Sequence, residues 1–137
     1  MHLFNNDLFY FAEDALNHLD NSTDTVAANF PLFFALHLAV FFGFRINDEY
    51  SEEKHYLDLQ EGLFTATQPK HPNYLDDKAA EITSYILKVQ HPVELEELKL
   101  NQEFRRFLLS SYETYYQLQI SDFGSMKTLP VLREMMN

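Results

Sequence analysis

Fifteen consecutive residues, Phe30 to Phe44, form the most apolar stretch of this chain and restrict its fold more than any other feature. The stretch contains Pro31 and His37, and it falls short of the roughly twenty residues a membrane span needs. Read as a helix from about Thr25 to Phe42, it is apolar nearly all round after Phe30, so other elements must cover it on every side. Gly43 follows where a helix end favours a left-handed residue. The chain must therefore wrap a buried helix.

The rest of the composition agrees. A length of 137 residues fits a single domain with one real core. Thirteen Phe and eight Tyr supply large side chains for it, each burying much area. Three Gly and five Pro favour long regular elements over a many-turned sandwich. The absence of cysteine excludes a disulfide framework and thiolate metal sites, and fits a reducing cytosol. The start, Met1-His2-Leu3-Phe4-Asn5-Asn6-Asp7, lacks the basic residues and apolar run of a signal peptide.

Periodicity assigns the remaining elements. Phe4, Leu8, Phe11, Ala12, Ala15 and Leu19 predict an amphipathic helix over 3–20, closed by the polar run Asp20 to Asp24. Tyr56 to Thr65, with Gly62 at the turn, predicts a short hairpin. Asp76-Asp77 precede a helical pattern at Ala79, Ile82, Ile86 and Val89, where acids suit a helix N-terminus. After His91-Pro92, residues 93–98 read as a short turn of helix. A long helix from about Gln102 to Gln119 presents Phe104, Phe107, Leu108, Ser111, Tyr115 and Leu118 inward, and a last helix runs from Leu129 to Met136 after Thr128. The expected fold is mostly α: five to six helices with a small β-hairpin insert around residues 56–65.

Net charge at pH 7 is −11, which opposes tight binding to a phosphate backbone. The charge is uneven. Residues 101–137 balance Arg105, Arg106, Lys127 and Arg133 against four acids, while residues 1–100 carry the whole excess. An acidic ligand meets least repulsion in the C-terminal third.

Catalytic and metal patterns are weak. Glu52-x-x-His55 is a single copy in a polar loop, whereas di-iron bundles use two such pairs on long helices. The six histidines show no ligand spacing. His37 in the apolar helix reads as a hydrogen-bonded core imidazole. Ser110-Ser111 lack the strained elbow of a serine nucleophile, and no phosphate-binding glycine loop is present.

Arg105, Leu109, Tyr112 and Tyr116 fall in one file along the long helix. Two readings compete. The file is an apolar strip ending in a guanidinium, suited to a peptide with a hydrophobic last residue and a free carboxylate. Alternatively the tyrosines complete the core and the arginines pair with nearby acids. Two other classes stay open: a cytosolic metal-binding protein or enzyme using Glu52, His55 and a histidine such as His71, and a homodimeric helical scaffold.

Several segments, in order, resemble the C-terminal helical domain of the recombination mediator RecO, in its Bacteroidetes form. They are Asn29-Phe30-Pro31-Leu32-Phe33-Phe34 with Gly43-Phe44, then Tyr56-Leu57-Asp58-Leu59-Gln60-Glu61-Gly62-Leu63-Phe64. Arg105 or Arg106, Tyr115-Tyr116-Gln117-Leu118 and Lys127-Thr128-Leu129-Pro130-Val131-Leu132 complete the set. The resemblance implies a non-catalytic role in DNA repair and recombination, in the bacterial cytoplasm at the nucleoid. It implies two protein partners, RecR and the acidic tail of single-stranded-DNA-binding protein, which ends in a Pro-Phe carboxylate, and it implies no cofactor. The expected partner-binding residues are Arg105, Arg106, Tyr112, Tyr116, Lys127 and Leu129.

Two departures from the family stand out. Its N-terminal oligonucleotide-binding barrel has no counterpart, since Met1 opens directly into helical sequence. Residues 1–137 thus read as one helical domain and a fragment, with Met1 internal or added and single-stranded DNA contacted mainly through the barrel. Some members also hold zinc with four cysteines in the segment matching 45–75. This chain has none, so zinc is not carried over and Tyr56, Leu59, Leu63 and Phe64 must hold the hairpin.

Overall fold

The computed structural model describes residues 24–43 and 46–119. The expected helices over 3–20 and 129–136 lie outside these residues. Helix α1 spans Asp24–Leu38 and continues as a 3-10 helix, Ala39–Phe42. Gly43 closes it at φ +87°, and its N–H donates to the carbonyls of Ala39 and Val40. Buried residues occur on every side of α1: Val26, Asn29, Phe30, Pro31, Leu32, Phe33, Ala35, Leu36 and Leu38. That is the burial an all-round apolar helix requires. Pro31 removes one donor from the helix ladder, and packing on all sides outweighs the loss.

Three short strands follow. β1 (Tyr56–Asp58) pairs antiparallel with β2 (Leu63–Thr65) and with β3 (Tyr74–Asp76), giving the order β2-β1-β3. Leu57 lies opposite both Phe64 and Leu75, and these three form the buried face. The expected hairpin is present, with Gly62 at φ +70°. Its anchoring differs from expectation: Leu59 and Phe64 are buried, but Leu63 is exposed, and Leu57 and Leu75 take the inward positions. Strand β3 was not expected, because three residues are too few to show an alternation.

Asp58 ties the turn together. Its Oδ1 accepts from the N–H groups of Gln60 (2.9 Å) and Glu61 (3.0 Å), and from His71 Nε2 at 3.0 Å. Asn73 N–H donates to His71 Nδ1, which fixes the tautomer with hydrogen on Nε2. The loop from β2 to β3 is thereby clamped to β1.

Helix α2 (Asp77–Lys88) buries Ala79, Ala80, Ile82, Thr83, Ser84 and Ile86. A second 3-10 helix, Pro92–Glu97, follows. Glu94 Oε2 accepts from the N–H groups of His91 (2.8 Å) and Gln90 (3.1 Å), satisfying donors a helix start leaves open. Helix α3 spans Gln102–Gln119, capped by Asn101 Oδ1 accepting from Phe104 N–H at 2.7 Å. The second 3-10 helix, α2 and α3 all pack on α1. The expected count of five to six helices is not matched; the described residues hold three α-helices and two 3-10 helices beside a three-stranded sheet.

The inward face of α3 also differs. Leu108, Leu109, Tyr112, Tyr115 and Tyr116 are buried, while Phe107 is 51% and Leu118 40% exposed. The physical reason is polar. Tyr116 OH donates to the Ala35 carbonyl of α1 at 2.6 Å, and Tyr112 OH shares a 2.8 Å hydrogen bond with Thr83 Oγ1 of α2. A buried tyrosine is stable when its hydroxyl finds such a partner.

Candidate functional site

The first turn of α1 and the start of α3 meet across the segment 98–101. Between them lies an open cleft of about 540 Å³. Leu98, Leu100 and Ala28 form its apolar walls, and Lys99 and Arg105 supply positive charge. Thr25, Asn101 and the acid Asp24 complete the rim.

Two sets of hydrogen bonds build the cleft. Fully buried Asn29 on α1 donates through Nδ2 to the carbonyls of Leu95 (3.0 Å) and Leu98 (2.8 Å). These bonds hold the end of the second 3-10 helix and the following loop against α1. Arg105 Nη1 donates to the Leu100 carbonyl, which orients the guanidinium along the cleft. A guanidinium has five N–H donors in a fixed fork, so several stay available after one bond. The N-terminus of α1 adds the partial positive charge of a helix start, and Asp24 offsets part of it. The cleft can receive an anion beside an apolar group.

The structure separates the expected site residues. Arg105 lines the cleft. Arg106 is exposed, one position round the helix, and does not line it. Tyr112 and Tyr116 are fully buried with both hydroxyls bonded inside the protein. Their expected role as a docking strip is corrected: they are core residues, and the guanidinium sits beside Leu98 and Leu100 instead. Burial raises all three phenols, Tyr115 to about 12 and Tyr112 and Tyr116 further. Lys127 and Leu129 lie outside the described residues. Lys99, Leu98, Leu100 and Ala28 were missed, because their nearness to Arg105 depends on how α1 and α3 pack.

The metal-ligand candidates do not converge. Glu52 is exposed, His55 stacks on Tyr56 with ring centres 4.3 Å apart, and His71 pairs with Asp58. Among the described residues, no group of three or more His, Asp or Glu side chains is placed to hold a metal ion. No described helix is long and apolar enough to cross a membrane. His37 is hydrogen-bonded as expected, with Nε2 2.9 Å from the Ile86 carbonyl, but it is half-buried rather than a core residue.

No family model and no solved structure matches the chain. Curated proteins do. It is 31% identical over 130 residues to the DNA repair protein RecO of Christiangramia forsetii, covering 95% of this chain and 52% of that protein. It is 26% identical over 131 residues to RecO of Phocaeicola vulgatus, covering 96% and 54%. It is 27% identical over 105 residues to RecO of Azobacteroides pseudotrichonymphae, covering 77% and 43%. The chain spans about half the length of the curated relatives it matches. Along nearly all of its own length it is a RecO-like sequence of the Bacteroidetes type, consistent with the C-terminal domain of those proteins.

Proposed function

We propose that this chain is a non-catalytic docking domain of a DNA-repair and recombination mediator, acting in the bacterial cytoplasm at the nucleoid. Its Arg105 cleft receives the acidic C-terminal tail of single-stranded-DNA-binding protein. RecR contact, recombinase loading and strand annealing belong to the same reading. What supports it is one observation: Arg105 and Lys99 share a cleft with Leu98, Leu100 and Ala28 at the N-terminal end of α1. A peptide ending in an aromatic residue and a free carboxylate needs an apolar wall next to a cation, and the cleft supplies both. In this reading Arg106 adds charge nearby, and Lys127 and Leu129 are carried as further contacts from outside the described residues.

The test is fluorescence polarisation with a labelled tail peptide, using the peptide without its terminal Phe as control. Saturable binding should vanish with the Phe and weaken about tenfold in Arg105→Ala, or about 1.4 kcal/mol, with a smaller loss in Lys99→Ala. Full affinity in the Arg105→Ala, Lys99→Ala double variant would remove the cleft from the account. The net charge of −11 further predicts poor binding of single-stranded DNA by this chain. Tight binding at physiological salt would count against the reading.

A further inference from the structure

The C-terminal end of α1 carries a second cleft, of about 410 Å³, with the opposite chemistry. Leu36, Val40, Ile46 and Leu87 line it, with His37 and Asp48 as polar groups and Asn47 beside them. Val40 is half exposed there. We propose that this cleft binds the basic side chain, lysine or arginine, of a partner protein.

Both polar groups present unused acceptors. His37 Nε2 bonds the Ile86 carbonyl. A carbonyl only accepts, so Nε2 carries the hydrogen and Nδ1 keeps a bare lone pair. Burial lowers the pKa of this imidazole, which keeps the ring neutral. Asp48 Oδ1 accepts from Ser84 Oγ at 2.7 Å and lies 3.4 Å from Lys88 Nζ. An ionised carboxylate offers about four acceptor positions, more than these two contacts use. Lys88 is 63% exposed, and such an ion pair is weak and readily rearranged.

An anion would meet two acceptors in this cleft. A purely apolar group would strip water from both without replacing it. A lysine or arginine side chain answers both demands, because its aliphatic stem packs on apolar walls while its head donates. The field favours the same occupant. Residues 47–54 carry Asp48, Glu49, Glu52 and Glu53 against Lys54 alone, which lies 3.8 Å from Glu49, and the C-terminal end of a helix bears partial negative charge. An excess of acids over bases near a cleft draws positive charge to it.

The test uses the full chain and NMR shift mapping, with n-butylguanidinium as the arginine probe, n-butanol as the neutral probe and acetyl-Gly-Arg-Gly-amide as the side chain on a backbone. The guanidinium should give saturable shifts at His37, Ile46 and Leu87, and bind about tenfold tighter than butanol. Asp48→Asn should erase that preference while the amide oxygen keeps accepting from Ser84; Glu103→Gln, an exposed acid in the first turn of α3, should leave it unchanged. The tripeptide should bind at least as well as the free guanidinium. Equal binding of butanol, guanidinium shifts that survive Asp48→Asn, exclusion of the tripeptide, or no shift at the cleft would each overturn the proposal.

Discussion

The two ends of α1 share one buried helix and face solvent with opposite chemistry. Around Thr25 and Ala28 the neighbours are Lys99 and Arg105; around Leu36 and Val40 they are His37 and Asp48. Residues 25 and 36 are about 17 Å apart along the helix axis. The helix contributes to both ends, since its dipole is positive at one and negative at the other. The loops complete the contrast: segment 98–101 brings a lysine, and segment 47–53 brings four acids. A helix apolar enough to be core thus leaves its ends as the places where polarity can be built.

The largest effect should come from the shared part. Tyr116→Ala removes a fully buried ring that bonds α1 through Ala35, and urea denaturation should show a loss of about 4 kcal/mol. Tyr116→Phe removes only the hydroxyl and should cost about 1 kcal/mol, with tail-peptide affinity unchanged. A loss of affinity in the Phe variant would restore Tyr116 as a docking residue.

Asn29→Ala acts at one end. It deprives the Leu95 and Leu98 carbonyls of their donor and should destabilise by about 2 kcal/mol. Shift mapping of that variant should show perturbation around Lys99 and Arg105 and little around Asp48 and Leu87. Equal disturbance at both ends would mean that α1 transmits the change.

Acidification separates the ends by a different route. The pKa of His37 in the folded state lies below its ordinary 6.5 because burial disfavours the charged ring. Above the ordinary value neither state holds the proton, and the stability from the neutral ring is fully present. As pH falls through that value the unfolded chain takes up a proton that the native chain refuses. Stability then declines by up to about 1.4 kcal/mol per pH unit until the folded pKa is passed. Urea midpoints from about pH 7.5 to about pH 5 should therefore fall more steeply in the wild type than in His37→Gln. Parallel curves would place the ring in water.

The smallest effect is expected at Gly43. A Cβ there meets nothing within 4 Å, so Gly43→Ala should cost only the strain of φ +87°, about 1 kcal/mol. A much larger loss in thermal denaturation would mean that the helix end is packed rather than merely turned.

Much of this fold was legible from local pattern. The apolar run with Gly43 marked α1, and Ala79, Ile82 and Ile86 marked α2, because one periodicity dominates each segment. Helix α3 shows where this fails. Phe104, Phe107 and Leu118 form one stripe and Leu109, Tyr112 and Tyr116 another, and hydrophobicity alone turns the phenylalanines inward. The tyrosines are buried because Thr83 and the Ala35 carbonyl wait for their hydroxyls, which is tertiary information. The cleft was half legible for the same reason. The balanced charge of residues 101–137, beside an acidic remainder, singled out Arg105, but Lys99 and the N-terminus of α1 join it only when α1 and α3 pack together.

The most direct test is NMR shift mapping of the full chain with the acidic, Phe-terminated tail peptide. The account predicts perturbations at Ala28, Leu98, Lys99, Leu100 and Arg105, with Leu36, Asp48 and Leu87 unmoved. Shifts centred on the Asp48 end, or none at the Arg105 end at saturating peptide, would contradict it.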